Sequence, residues 1–271
     1  MSPTPTASTL ILISAGVLVA GLCLPARRLL PRLASTDTSP WSSTLSYVAT
    51  AYGIVVGFSI IFLFGEFSAA RQAVGDEATS VGTAFEEARL FPGDSDHIQH
   101  ALICYARAVP EFDWPALSDR SAAPEVDQAY RDIFLALGEA EQPAQSTFQP
   151  ATATNILVQV GNISTAREAR LVAAGIQIPT LLWVLLLGGG LLVVALIFVV
   201  TVAAHPVTQA VLVGLSAMFT VVMILIVAAL GAPFAAGTGR VAPKLIEETT
   251  ASMEQSEPEL ASQPCDHDDG E

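Results

Sequence analysis

The sequence predicts an all-α membrane protein with four transmembrane helices and a helical insert between the second and the third. Three observations lead to this fold class. Of the 271 residues, 52% are hydrophobic and only 14% are charged, whereas soluble domains carry about 25% charged residues. The apolar residues are concentrated in four blocks, each near the roughly 20 residues that cross a bilayer as a helix. The polar sequence between the second and third blocks repeats apolar residues at helical spacing.

Four parts of the chain follow from this interpretation. Residues 1–66 form the first pair of transmembrane helices, and residues 67–175 form the polar insert. Residues 176–234 form the second pair, and residues 235–271 form an acidic, largely disordered tail. Because four crossings return the chain to the side from which it started, the insert and both termini are expected on the same side of a cell membrane.

The first helix, over about 9–26, is expected to stay in the membrane. Arg27 and Arg28 follow its apolar run, whereas a cleaved secretory signal carries its positive charge before the run. The second helix covers about 45–66, after a loop over 33–46, and continues through polar sequence to Phe91 as one helix. Apolar residues recur three or four positions apart along this continuation: Phe67, Ala70, Val74, Ala78, Val81, Phe85 and Ala88. The turn 91–94 ends it.

Three more helices are predicted in the insert, over 97–109, 125–137 and 152–175. Pro110 breaks the first of them, and the last brings Arg167 and Arg170 to the lipid headgroups. In the second transmembrane pair, Pro179 starts or kinks the third block, over 176–204. Glycines 188–190 near the middle of that block would let another helix approach closely. The fourth block covers 207–230.

Charge and cysteine usage exclude several classes of protein. The formal net charge is −14, and acidic surfaces repel nucleic acid, so no nucleic-acid partner is expected. The three cysteines form no CxxC motif and predict neither a disulfide nor a zinc site. His97 and His100 lie three positions apart, and Cys265 opens an acidic tail segment; a solvated helix start and a disordered tail explain both without a metal. Because no catalytic motif occurs, the chain is not expected to be an enzyme or to bind a cofactor.

Two ways of counting basic residues give opposite predictions for the side of the membrane on which the insert lies. Three arginines follow the first helix in the loop 25–46, which favours an external insert by the positive-inside rule. The total number of basic residues near the membrane is larger on the insert's side, which favours a cytoplasmic insert.

The second helix carries a candidate pore surface. The centres of the membrane blocks lack ionisable residues, which argues against a proton-coupled transporter. A pore closed by apolar side chains needs none, because a hydrophobic constriction closes by dewetting. Thr50, Ile54 and Phe58 fall on one helical face at i, i+4 and i+8, and we name this set the neck face. It could line a pore between several copies of the chain or pack on a neighbouring helix.

Several short motifs resemble a bacterial membrane family described as bestrophin-like, a domain of unknown function. They occur in the family's order and cover most of residues 47–250: Ala51-Tyr52-Gly53, Phe67, Ala70-Arg71, Glu77-Ala78, Tyr105-Ala106-Arg107-Ala108-Val109, Asp113-Trp114-Pro115-Ala116-Leu117, Pro179-Thr180-Leu181-Leu182-Trp183 and Pro233-Phe234. Gly57, Phe67, Arg71, Trp114, Pro115, Pro233 and Phe234 are the motif positions expected to have structural roles.

The family is distantly similar to bestrophin anion channels, and the resemblance implies a pentamer whose second helix lines a hydrophobic neck, with a cytosolic insert. Carried over by position, that neck falls on the neck face. Two features depart from the channels. Residues 59–64 are nearly all apolar where bestrophins carry polar side chains, and residues 231–237 contain no acid, so no calcium clasp is expected.

The resulting functional prediction is a passive, oligomeric ion channel, with lipid, inorganic ions and other copies of the chain as its partners. The alternative is a non-conducting membrane scaffold or sensor whose insert and acidic tail bind a partner. Oligomeric state separates the two, because a ring with the neck face around its axis supports the channel. A monomer or dimer with that face buried in its own helices supports the scaffold.

Overall fold

The structure is a computed structural model that describes residues 5–29, 38–90, 95–139, 148–235 and 240–265. Every regular element in these ranges is helical, and the predicted all-α class is confirmed. The predicted turn 91–94 and the middle of the predicted loop 138–151 lie outside the described residues. The chain divides into two compact units. The membrane unit contains the sequence up to Glu66 and residues 177–232, and the insert unit contains residues 67–176 together with the C-terminal helices.

Among the residues that the structure describes, four helices build the membrane unit: α1 (Pro5–Leu29), the first part of α2 (Ser39–Ala88), α7 (Thr180–Val200) and α8 (Pro206–Leu230). Among the described residues, α2, α7 and α8 are long and apolar enough to cross a membrane. A membrane crossing by α1 stays a prediction. Pro179 is the N-cap of α7, so of the two predicted roles, a start or a kink, it has the first.

Small residues bring α1 close to α8 in the membrane unit. A Cβ atom on Gly214 would lie 3.1 Å from the backbone oxygen of Gly16 and 3.1 Å from Cβ of Ala20, which is the close packing that small residues permit between membrane helices. Arg27 at the end of α1 donates to the carbonyl oxygen of Ala204 at 2.8 Å and to Oε1 of Gln209 at 3.1 Å. The end of α1 and the turn between α7 and α8 therefore lie at the same end of this unit.

The second helix is continuous over 50 residues, from Ser39 to Ala88, about 75 Å at 1.5 Å per residue. The prediction that one helix carries the membrane sequence into the insert is confirmed. The predicted start near 45 is wrong, because residues 39–44 are helical as well. Pro40 lies in the first turn, where the missing amide hydrogen of proline costs no hydrogen bond, and so a stretch that reads as a Ser/Pro loop begins the helix.

The remaining helices before α7 are α3 (Ser95–Ala108), α4 (Trp114–Ser118), α5 (Pro124–Glu139) and α6 (Phe148–Gly175). A π-helical turn, Val109–Asp113, joins α3 to α4. The predicted break at Pro110 is therefore replaced by a change of helix type, since the wider turn accommodates a residue that cannot continue the α-helical hydrogen bonds. The apolar stripe predicted on α2 faces the core of this unit: Ala70, Val74, Ala78, Val81, Phe85 and Ala88 are all buried.

Residues 244–256 and 258–261 are helical, and the predicted disorder of the tail is wrong for them. They form α9 (Lys244–Ser256) and α10 (Pro258–Ala261). Ile246, Met253 and Leu260 are buried in the core of the insert unit. Ile246 and Met253 lie seven positions apart on one face of α9, and Leu260 of α10 joins them in this core; the acidic composition of the tail conceals these apolar positions.

Cys104 and Cys265 form a disulfide with a Cα–Cα distance of 5.5 Å across a separation of 161 residues. The sequence predicted no disulfide, because the pairing depends on α9 and α10 folding back onto α3, which the spacing of the cysteines does not indicate. Cys23 is free and buried in the membrane unit.

Candidate functional site

The membrane part of α2 is packed on one side. Val56 and Leu63 are 5% and 3% exposed and lie against Leu186 of α7 and Val227 of α8, both fully buried. Tyr52 lies on the same side and donates a hydrogen bond from its hydroxyl to the carbonyl oxygen of Leu186 at 3.1 Å. Aromatic and aliphatic contacts thus fix the rotation of α2 about its own axis within the membrane unit.

The neck face lies on another side of the same helix and is uncovered within one chain. Ile54 is 54% exposed, Phe58 is 69% exposed and Thr50 is also exposed. The hydroxyl of Thr50 donates to the backbone carbonyl oxygen of Ser46 at 2.7 Å. Its hydrogen is therefore used inside the helix, so that this polar residue presents an oxygen and a methyl group to its surroundings.

Gly57 lies beside the neck face and adjoins an apolar cavity. A Cβ atom there would meet nothing within 4 Å, so the glycine is not required by a close helix contact inside this chain. The cavity has a volume of about 680 Å³ and is lined by residues of α2, α7 and α8, including Tyr52, Val56, Ile197 and Phe219.

Two of the predicted motifs meet in the insert unit although about 120 residues separate them in the sequence. The indole of Trp114 contacts the ring of Phe234 edge to face, with centroids 5.9 Å apart, and its Nε1 donates to the carbonyl oxygen of Val241 at 3.2 Å. The amide of Val241 donates to the carbonyl oxygen of Pro233 at 2.7 Å. Pro115 is exposed in α4. Trp114 thus contacts Phe234 directly and is linked to Pro233 through the two hydrogen bonds of Val241.

Two other motif residues on α2, Phe67 and Arg71, differ in burial. Phe67 is half-buried and packs against the core of the insert unit. Arg71, one turn further along, is exposed. The motif therefore contributes one packing residue and one surface cation to the start of the polar continuation.

A buried ion-pair network lies at the centre of the insert unit. Arg170 of α6 donates to both carboxylate oxygens of Glu77 on α2, at 2.8 and 3.0 Å, and to Oδ2 of Asp113 at 2.8 Å. Arg167 donates to the same oxygen of Asp113 at 3.2 Å and pairs with the half-exposed Asp127. The hydroxyl of Tyr105 donates to Oε1 of Glu77 at 2.6 Å.

The charges of this network balance, which compensates the cost of burying them in a protein interior. Two acids, Glu77 and Asp113, oppose two arginines, and each acid accepts more than one hydrogen bond. Burial alone would lower the pKa of Arg170, but the carboxylates of Glu77 and Asp113 more than offset it and raise the pKa. The guanidinium carbon of Arg170 also lies 5.1 Å from the ring centre of Trp114, a cation–π contact. Arg170 therefore stays charged and links α2, α6 and the turn before α4.

The sequence interpretation missed this network. It placed Arg167 and Arg170 at the headgroups, but they are only 8% and 0% exposed, and Glu77 is fully buried as well. A signal was present, because Arg167 and Arg170 each follow a buried residue, Ile163 and Ala166, by four positions. Both arginines thus continue the apolar stripe of α6, which indicates a buried charge with a partner rather than a surface one.

Comparison with known proteins identifies the fold. A family model described as "Bestrophin-like: Bestrophin-like domain" matches residues 13–244. The crystal structure of a bacterial bestrophin homolog from Klebsiella pneumoniae superposes with a TM-score of 0.73 at 13% identity, covering 94% of this chain and 100% of that one. A single-substitution variant of that homolog gives a TM-score of 0.71 at 12% identity, covering 97% and 100% of the two chains. No curated protein matches the chain.

Proposed function

Because the chain belongs to the bestrophin-like family, we propose that it is an oligomeric channel that conducts inorganic ions, anions above all, passively through a membrane. The neck face of α2 lines the narrowest part of the conducting path in this proposal. The observation that carries it is the exposure of Ile54 and Phe58 on a helix that packs against α7 and α8 through its other side, at Val56 and Leu63.

An exposed apolar face in a membrane protein also suits contact with lipid, as at Leu181 and Leu191 of α7. Two features set the neck face apart. Thr50 places an oxygen in line with Ile54 and Phe58, and α2 is the membrane helix that continues directly into the insert. A ring of several copies that turns these residues toward its axis gives a constriction without fixed charge.

Such a constriction controls conduction through its wetting. A narrow apolar ring loses its water column and blocks ions, and a wider or more polar ring holds water and passes them. Residues 47–64 contain no ionisable side chain except tyrosine, so no fixed charge in this stretch holds the ion. Conduction is then passive, and its rate depends on the bulk of the side chains at 54 and 58.

The test is conduction by the purified protein in planar bilayers. We expect Phe58→Ala and Ile54→Ala to raise the current at a given voltage above that of the wild type. Leu181→Ala is the matched control, because Leu181 is 79% exposed but lies on α7, outside the neck face. No current from any of these variants at verified insertion sinks the channel proposal. An equal effect at Leu181 keeps the channel but rejects the neck face.

The proposed assembly is a pentamer, with the insert and both termini on the cytoplasmic side of the cell membrane. Native mass spectrometry in detergent tests the copy number, and a monomer would contradict the proposal. Labelling of single cysteines introduced in the insert, from inside or outside sealed vesicles, tests its side. The scaffold alternative loses part of its basis, since residues 244–261 are packed into the insert unit instead of forming a free tail.

A further inference from the structure

Three possible metal ligands converge on one end of α3. His100 and Cys104 lie one helical turn apart on the same face of this helix, with 3.6 Å between Nε2 of the histidine and Sγ of the cysteine. Cys265 follows the end of α10, and its sulfur completes a group whose ligand atoms all lie within 4.8 Å of one another. His97, in the first turn of α3, is exposed and outside this group.

We propose that His100, Cys104 and Cys265 bind a zinc ion when the disulfide between the two cysteines is reduced. Two thiolates and an imidazole are preferred zinc ligands, at about 2.3 Å for sulfur and about 2.0 Å for nitrogen. Nε2 of His100 already lies 3.6 Å from Sγ of Cys104, close to the spacing of two ligands on one zinc ion. Once the disulfide is reduced, a small shift of Cys265, which follows the last helical turn, separates its sulfur from that of Cys104 so that both can bind the ion. Water fills the fourth position. This site is independent of ion conduction.

The charge around the site favours thiolates. Nη1 of Arg107 lies 3.9 Å from Sγ of Cys265, and a neighbouring cation stabilises the deprotonated form of a cysteine. Cys104 is 8% exposed, so water competes weakly for the ion on that side. The ion therefore meets two negative sulfurs and one neutral nitrogen in a position enclosed on the side of Cys104 and partly open at His100 and Cys265.

The chemistry balances with a reductant of the phosphine or dithiol class. The reductant supplies two electrons to the Cys104–Cys265 bond, and the two sulfurs take up two protons as they separate. Zinc binding then releases one proton from each thiol. Since each sulfur is bonded to the other in the oxidised chain, the disulfide and the zinc site exclude one another.

Both states fasten the C-terminal helices to the same turn of α3. Arg107 donates from Nε to Glu254 of α9 at 2.7 Å and from Nη2 to the carbonyl oxygen of Ala261 at 2.7 Å. The disulfide lies next to these contacts. Zinc would therefore maintain under reducing conditions the attachment that the disulfide provides under oxidising ones.

The experiment measures metal binding by the full chain purified in detergent and reduced with a phosphine that is then removed. Zinc is titrated against a chromophoric chelator, and cobalt is used in parallel because thiolate ligation gives it a charge-transfer absorption. We expect one ion per reduced chain and none per oxidised chain. Cys104→Ser, Cys265→Ser and His100→Ala should each weaken binding about tenfold or more.

Two matched controls separate this site from adventitious binding. His97→Ala removes an exposed histidine of the same helix, and Cys23→Ser removes the free cysteine of the membrane unit; both should bind like the wild type. His100→Ala can still form the disulfide, so an unchanged melting temperature of its oxidised form shows that it folds. Reduced wild type without stoichiometric zinc, or loss of binding in either control, overturns the proposal. Neither result depends on whether the protein conducts ions.

Discussion

Arg170 donates two hydrogen bonds to Glu77 across 93 residues of sequence, and neither side chain is exposed to solvent. The pair joins α6 to the continuation of α2 with both N–H groups on one carboxylate, the geometry in which an arginine–carboxylate contact is strongest. A buried pair of this kind adds little over apolar residues of equal volume, but loss of one partner leaves a buried charge without compensation.

Arg170→Ala should therefore lower the free energy of unfolding by about 3–5 kcal/mol, because Glu77 and Asp113 lose their shared cation. The measurement is denaturant or thermal unfolding of the purified protein at fixed detergent concentration. Lys244→Ala is the control, since the Lys244–Glu248 pair has side chains 77% and 59% exposed and a surface pair contributes about 0–1 kcal/mol. Equal effects of the two substitutions would contradict the stabilising role of the network.

Tyr105→Phe should change how stability depends on pH in alkaline solution. Burial raises the pKa of Tyr105 well above its ordinary value, and the neighbouring carboxylate of Glu77 raises it further. The unfolded chain loses this proton near pH 10 while the folded chain keeps it. The contribution is therefore complete below about pH 10 and declines above it by up to ~1.4 kcal/mol per pH unit.

The measurement compares melting temperatures of the wild type and Tyr105→Phe over about pH 8–11. Tyr105→Phe should be less stable at the lower end, because Glu77 loses a hydrogen bond there. It should also show a shallower alkaline decline, since phenylalanine has no proton to lose. Parallel curves for the two proteins would show that Tyr105 does not contribute to the decline.

Gly190→Ala should destabilise the membrane unit, and Gly188→Ala should not. A Cβ atom at Gly190 would lie 2.5 Å from Cγ2 of Thr220 and 2.9 Å from the hydroxyl oxygen of Tyr52, whereas one at Gly188 would meet nothing within 4 Å. Overpacking typically costs about 1–3 kcal/mol. Thermal unfolding of both variants in one detergent checks the prediction, and equal melting temperatures would mean that α2 and α8 move aside freely.

Local sequence patterns suffice for much of the fold. The spacing from Phe67 to Ala88 identifies the buried side of α2 because an apolar stripe at helical spacing has one stable solution, burial. Pro179 fixes the start of α7 for a similarly local reason, and the apolar stretches of α7 and α8 need only length and composition. The triple glycine indicates a close helix approach, which Gly189 and Gly190 make with Tyr52.

Features that depend on residues distant in the sequence could not be predicted from local sequence patterns. Arg170 looks like a surface cation until Glu77 and Asp113 are brought to it from other helices. Cys104 and Cys265 look unrelated because their distance depends on how α9 and α10 pack. The neck face is a local pattern, but the role proposed for it depends on other copies of the chain.

The burial of α9 and α10 has a consequence for the order of events during synthesis. Ile246, Met253 and Leu260 complete the core of the insert unit, yet the ribosome reaches them only after it has made α7 and α8. At about 5–20 residues per second, the insert waits several seconds without α9 and α10, which pack on α3 in the finished unit, while the last membrane helices are inserted. Truncation of the chain before Lys244 would make that transient, aggregation-prone state permanent.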